Sequence, residues 1–423
     1  MRSIDTSIGP IDLPEDPWAD LQVGIDDQAP LPRLCYAATR VVMSNDYAKI
    51  DHAPDRRGGG DEIAANIDWD ATMDLRRRIA ATGMGIAEAM DTAQRFDLGW
   101  PAARELIERT GGLDLPAGFC AGASVDHLEK AETTVELVDG VVEQIHVIRE
   151  AGGVPVVLPM PRLCELGLDE DGFAAVYDDI ARHAGDGPLI VHWLGPMFLP
   201  ALEGYFPGES FLRIMRANPE RYRAAKLSML DHDLEVRLRR DLLERDQIMM
   251  TGDDFHFGRL IAGEPGVEPL RTVEFDGHEV PIGDFSHALL GIFDAIAVPA
   301  ALALRRLAVG DRAAYDRIMV ECERLGQAIF EAPTRHYKTG LAFLAWLDGR
   351  QANPMLVNHE ERSRPPERLL EYLAIAAAAG ALEDVAGVEQ RLGRIGDVAR
   401  GRPSGLGDLA GGAAGIRRAR GRS

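Results

Sequence analysis

Tyr222-Arg-Ala-Ala-Lys-Leu-Ser-Met-Leu-Asp231 is the stretch on which the reading of this chain turns. Residues 224–229 read as a short apolar strand with Lys226 at its centre, between Ala225 and Leu227. A polar turn, Asp231-His232-Asp233, follows it. Burying an ammonium group is costly unless it is paired or neutral. Desolvation lowers a lysine's pKa and makes its amine a nucleophile toward carbonyls. The plainer alternative is an edge-strand lysine whose stem lies on the core and whose head reaches water. The surrounding sequence favours the buried amine.

Working outward, apolar runs recur at 34–43, 84–90, 117–123, 154–159, 189–193, 224–229, 248–252 and 288–293. Longer amphipathic stretches separate most of them, such as 69–81, 138–151 and 235–245. Strands alternating with helices imply a parallel sheet. Eight such units over roughly 260 residues match a (β/α)₈ TIM barrel in count and length. A doubly wound open sheet is the competing fold, but no Gly-x-Gly-x-x-Gly follows the first strand. The expected organisation is an N-terminal arm or loop over 1–30, a barrel over 31–295, a C-terminal helical extension over 296–385 and a Gly/Arg-rich tail over 386–423. The extension is read from helical stretches at 299–308, 312–332 and 366–379. Disorder is expected of the whole tail, whose residues 400–423 hold six arginines against the single acid Asp408.

Composition narrows the function. The formal charge of −22 argues against nucleic acid or an anionic membrane as partner. It leaves open a small anionic substrate, which needs only a local positive site. Cys35, Cys120, Cys164 and Cys322 are scattered without paired spacing, as expected of a reduced, cytoplasmic protein without a zinc cluster. The N-terminus carries no apolar signal region, and no run of about 18 apolar residues occurs.

In such a barrel the functional groups cluster at the C-terminal ends of the strands. Those ends read Ser44-Asn-Asp46, Glu88-Ala-Met-Asp-Thr-Ala-Gln94, Ala121-Gly-Ala-Ser124, Leu158-Pro-Met-Pro-Arg162, Val191-His-Trp-Leu-Gly-Pro196, Lys226-Leu-Ser228 and Thr251-Gly-Asp-Asp-Phe-His256. Lys226, His192, Asp91 and Asp253 are thereby expected to converge in one pocket. An amine, an imidazole and carboxylates in one dry site are what imine chemistry on a carbonyl requires. No cofactor and no resident metal is expected for it.

The order of these features resembles the dihydrodipicolinate synthase / N-acetylneuraminate lyase family of class I aldolase-like barrels. Its imine-forming lysine on strand six is matched by Lys226 in Ala225-Lys-Leu-Ser228. Its strand-seven Ser-Gly-Asp-Asp is matched by Thr251-Gly-Asp-Asp254, and its later motifs by Gly310-Asp-Arg-Ala-Ala314 and Pro333-Thr-Arg-His-Tyr-Lys338. The resemblance covers about residues 34–350. It implies a Schiff-base lyase or aldolase on a small carbonyl compound, and a homodimer or homotetramer. The departures imply a divergent member. Of the family's strand-two Gly-Thr-Thr-Gly-Glu carboxylate clamp only Thr92 survives, in Met90-Asp-Thr-Ala-Gln94. The strand-five tyrosine is absent, and His192-Trp193 stands in its place. His192 is therefore the expected proton relay. Asp91, Thr92, Gln94, Arg162, Trp193, Ser228, Asp253 and Gly291 are the expected substrate-binding residues. A sugar-derived carbonyl compound, rather than pyruvate, is the expected substrate, its hydroxyls held by Asp91, Gln94 and Arg162.

Two other readings stay open. His192, Asp231, His232, Asp253, Asp254 and His256 could ligate a divalent metal, giving a metal-dependent aldolase or epimerase. The barrel could also keep its lysine and merely bind a ligand. Asp253 and Asp254 could simply cap the helix that follows and bond to its free N–H groups.

Overall fold

The computed structural model describes residues 2–128 and 130–394. Eight parallel strands close into a barrel: β1 (Cys35–Ala38), β2 (Gly85–Glu88), β3 (Phe119–Ala123), β4 (Val154–Val157), β5 (Leu189–Leu194), β6 (Tyr222–Ser228), β7 (Ile248–Thr251) and β8 (His287–Leu290). They pair in chain order, and β8 returns to pair with β1. Every strand falls within two residues of an expected apolar run, and closure excludes the open sheet. Each is short and buried on both faces, so it reads as a continuous apolar run rather than an alternation.

Alternation survives in what each face touches. Tyr36, Ala38, Ala87, Cys120, Val154, Val156, Ile190, Ala224, Ile248, Met250 and Leu289 form one buried cluster that fills the lumen. Residues of opposite parity, such as Ala37, Ile86, Ala121, Val191, Ala225 and Met249, join the helix layer outside. An antiparallel hairpin, Arg271–Phe275 paired with His278–Ile282, precedes β8. Its Val273, Phe275, Val280 and Ile282 enter the lumen cluster and plug the end where the strands begin. The opposite end, where β5 and β6 carry polar side chains, is left for chemistry.

Helices Phe293–Ala308, Arg312–Ile329, Lys338–Leu347, Pro366–Ala379 and Val385–Arg394 follow the barrel. All ten residues of Lys338–Leu347 are buried, so this helix lies at the centre of the extension. The buried Arg40 ion-pairs with Asp294 and donates its Nε to Gln351 (3.1 Å), fastening the loop after β1 to the extension. The first thirty residues contain an antiparallel hairpin, Arg2–Thr6 with Gly9–Leu13. Ile11, Leu13 and Trp18 are buried there, and Trp18 donates its indole N–H to the Ala379 carbonyl (2.9 Å). The Arg-rich stretch 400–423 lies outside the described residues. Among those described, no helix is long and apolar enough to cross a membrane.

Candidate functional site

Lys226 has lumen parity and pairs in register with His192 on β5 and Met250 on β7. Its side chain is 8 % exposed. Among the described residues no hydrogen bond or ion pair reaches its amine; only more distant charges act on it. Burial pulls its pKa below the ordinary lysine value, opposed by the fields of Asp254, Cys120 and Asp91. Gly252 gives the side chain room. A Cβ there would stand 2.9 Å from Lys226 Cε and would also meet the Ser228 hydroxyl. The glycine of Thr251-Gly-Asp-Asp254 is thus explained by the crowding of β6 beside it, the Ser228 hydroxyl and the Leu227 carbonyl together with Lys226.

His192 is buried next to this amine. Its Nε2 bonds to Ser228 Oγ (3.2 Å), and its Nδ1 has no partner among the described residues. Burial and then Lys226 hold its pKa well below the usual histidine value, so the ring is neutral near pH 7. A neutral imidazole with an unused nitrogen can accept or pass on a proton.

Asp254, not Asp253, is the carboxyl that faces this chemistry. It is buried, accepts the Ile292 N–H (2.9 Å) and is pushed above the usual carboxylate range by burial. Of the charges acting on Lys226, its field is the largest. Asp253 was expected to converge with Lys226, but it is committed to the turn. Its Oδ1 accepts the N–H groups of Phe255 (2.8 Å) and His256 (3.1 Å), and its Oδ2 pairs with His256 Nδ1 (2.8 Å). Behind it, the buried Glu235 accepts the Ser286 hydroxyl (2.7 Å) and is pushed up to about 8 by burial.

The mouth of the barrel is wired differently. Asp91 opens the short helical turn Asp91–Ala93 after β2. Its Oδ2 accepts the Tyr337 hydroxyl (3.0 Å) and the Lys338 ammonium (3.2 Å). Tyr337 also bonds to Thr92 Oγ1 (2.8 Å), and burial, followed by the charge of Asp91, keeps its phenol protonated. Lys338 is buried too, and burial alone would lower its pKa. Asp91 and then Glu360 outweigh that and raise it. Phe330 stacks on Tyr337 at 4.3 Å. Both lie against Gly291, just beyond β8, where a Cβ would stand 2.9 Å from Phe330 Cζ and 3.3 Å from Tyr337 Cε2. Gly291 thus admits an aromatic cover, Phe330 and Tyr337. Above lies a cleft of about 440 Å³, lined by Asp91, Phe96, Asp97, Phe198, Arg335 and Lys338 among others.

Two expected substrate contacts fall elsewhere, and a third is tied up in other bonds. Trp193 turns to the helix layer, packing on Phe211 (5.0 Å) and Phe206 (5.5 Å), because it has the opposite parity to His192. Arg162 sits in the helix Pro161–Glu165 and donates to the Ala131 carbonyl (2.8 Å) and to Glu165 (2.9 Å). It lines an outer groove with Lys130 and Glu132, separate from the cleft that Asp91 lines. Gln94 lines the cleft, but its amide is spent on Val357 N–H (2.9 Å), Val357 carbonyl (3.1 Å) and Glu360 (2.8 Å). Tyr337, Lys338 and Glu360 received no role from sequence. The one signal was Pro333-Thr-Arg-His-Tyr-Lys338, a motif with position but no assigned chemistry. Among the described residues, no group of three or more His, Cys, Asp or Glu is placed to hold a metal ion.

A family profile described as "Protein of unknown function (DUF993)" matches residues 18–399. No curated protein matches the chain. Among solved structures, a provisionally assigned dihydrodipicolinate synthetase of Pseudomonas aeruginosa aligns at 14 % identity and a TM-score of 0.57, covering 82 % of this chain and 99 % of that one. A sialic acid aldolase of Ruminococcus gnavus aligns at 12 % identity and 0.56, covering 82 % and 98 %. The N-acetylneuraminate lyase of Fusobacterium nucleatum, solved with pyruvate, aligns at 13 % and 0.51, covering 75 % and 87 %. At these identities the likeness is one of fold, and the fold is the one the sequence resemblance implied.

Proposed function

The chain belongs to the DUF993 family, whose function is unknown, and from the geometry of its site we propose that it is an imine-forming lyase or aldolase acting on a small carbonyl compound through Lys226. The observation that carries this reading is the state of one amine. Lys226 lies in the lumen at the catalytic end of the barrel, desolvated, with no hydrogen-bonding partner among the described residues and a pKa below the ordinary lysine value. The solved structures that share the fold include a lyase and an aldolase by name, which supports the same reading.

The reaction begins from the share of Lys226 that its lowered pKa leaves as the free amine; Asp254, whose pKa is raised by burial, supplies the nearest carboxylate field for the proton it gives up. The amine attacks the carbonyl carbon and forms a carbinolamine. Return of a proton to the hydroxyl expels water and leaves a protonated imine. That cation draws electrons from the adjacent carbon, so a C–C or C–H bond there breaks to an enamine. His192, neutral and with Nδ1 unpartnered, carries the proton to or from that carbon. Ser228 holds the ring through Nε2. Condensation, cleavage and dehydration share this intermediate.

Borohydride reduction in the presence of a panel of aldehydes and ketones, followed by peptide mass mapping, tests the proposal. A reduced adduct on Lys226 is expected. Turnover that persists in Lys226→Ala with no adduct in the wild type would sink it. We also expect a homodimer or homotetramer; light scattering that returns a 46.1 kDa particle contradicts this.

A further inference from the structure

The cleft at the barrel mouth holds a cation that the imine chemistry does not use. The charges lining it balance in number, with Arg57, Arg335 and Lys338 against Asp91, Asp97 and Glu360. They do not balance in arrangement. Lys338 is bonded to Asp91 and lies 3.9 Å from Glu360, and Arg57 pairs with Asp97 (2.8 Å). Arg335 pairs with no carboxylate among the described residues. The side-chain bond it makes runs from Nε to His336 Nε2 (3.3 Å), and its carbonyl accepts the Lys338 ammonium (2.9 Å). A guanidinium presents a planar fork matched to carboxylate and phosphate oxygens.

The wall around it is built in advance. Gln94 (φ 55°) and Asn358 (φ 55°) both line the cleft, and His359 (φ 53°) follows; all three hold the left-handed conformation without being glycine. Such residues persist where surrounding bonds over-determine them, often at ligand sites. Here Gln94 is bonded to Val357 and Glu360, and the Asn358 N–H donates to Tyr47 Oη (2.9 Å). Phe96, 48 % exposed, adds an apolar surface to the same cleft. One short segment joins cleft and lumen. Arg335 faces the cleft, and Tyr337 runs from Gly291 at the rim to Asp91.

Resting on the imine reading, we infer that this cleft takes the far end of the substrate, and that the substrate is an aldehyde or ketone of extended skeleton whose distal end carries an anionic oxygen group, carboxylate or phosphate, held by Arg335. Phe96 packs against the carbon chain between the two ends. The −22 chain thus recognises an anion by leaving one guanidinium unmatched.

The test uses two matched pairs in borohydride trapping at Lys226: glyceraldehyde 3-phosphate against glyceraldehyde, and succinic semialdehyde against butanal. The anionic member of at least one pair is expected to reach half-maximal adduct at about ten-fold lower concentration. The pair that shows the preference identifies phosphate or carboxylate. In Arg335→Gln the two members of each pair should be trapped alike, and Arg335→Lys should keep part of the preference. Calorimetric titration of inorganic phosphate and of succinate, into wild type and Arg335→Gln, reads the cleft without imine chemistry; binding is expected in the wild type alone. Adducts at Lys226 with no preference in either pair overturn the inference and leave the imine reading standing. Arg335-dependent anion binding without any adduct upholds the anion site and overturns the imine reading. Neither adduct nor anion binding overturns both.

Discussion

Lys226 and Lys338 are the same residue under nearly the same burial, and their surroundings drive them in opposite directions. Lys226 stands in the lumen, where no hydrogen-bond acceptor among the described residues meets its amine, and desolvation lowers its pKa. Lys338 stands at the mouth, bonded to Asp91 and the Arg335 carbonyl with Glu360 nearby, and its pKa is raised. Burial destabilises an ammonium in both places; only the second site supplies the charges that offset it. The lumen therefore holds an amine whose pKa is lowered, the proposed nucleophile, and the mouth a fixed cation. A lysine's function here is set by its partners and not by its depth.

The contrast breaks most visibly at Lys226 itself. Lys226→Ala and Lys226→Arg are expected to fold and to lose turnover by several orders of magnitude, because a guanidinium stays protonated and alanine has no amine. Peptide mapping should place any borohydride adduct on Lys226 and none on Lys338. The trapping rate should rise with pH as the free amine forms, and should level off well below the ordinary lysine pKa of about 10.4. A rate still climbing above pH 10 would show that the lumen does not depress this amine.

His192→Phe comes next. It removes the proposed proton carrier and puts a somewhat larger apolar ring in its place. Turnover should fall by about 10²–10⁴-fold while the adduct at Lys226 still forms. Loss of the adduct as well would give the ring a role in imine formation itself.

Asp91→Asn moves to the mouth. It deprives the buried Lys338 of its nearest carboxylate and Tyr337 of a charged acceptor. A loss of about 2–3 kcal/mol in denaturant unfolding is expected, because a buried charge is left less well matched. No loss would mean that Glu360 and the Arg335 carbonyl satisfy Lys338 unaided.

Glu235→Gln lies away from the amine and has the opposite sign. A carboxyl whose folded pKa is raised costs stability above its unfolded pKa, and the cost grows until the folded group ionises at about 8. The variant should match the wild type near pH 4 and exceed it increasingly as pH rises toward about 8. Thermal unfolding across that range measures it; a gap that narrows as pH rises would contradict the burial reading.

The sequence by itself determined the barrel, because apolar runs and the amphipathic stretches between them are local patterns that report strand and helix without any knowledge of neighbours. It placed Lys226 on β6 and put His192 beside it, since parallel strands of similar length end at similar heights. It also held one signal that a stricter reading would have used: with His192 facing the lumen, strand alternation turns Trp193 outward. Tertiary structure alone decided between Asp253 and Asp254. Adjacent carboxylates are equivalent in sequence, and only the turn geometry commits the first to the N–H groups of Phe255 and His256 and leaves the second buried within the field of Lys226. It alone sent Arg162 to an outer groove. It alone brought Tyr337 and Lys338, more than a hundred residues beyond Lys226, to Asp91 at the mouth. Contacts of that separation leave no local periodicity, because they arise from how the extension docks on the closed barrel and not from the preferences of either segment.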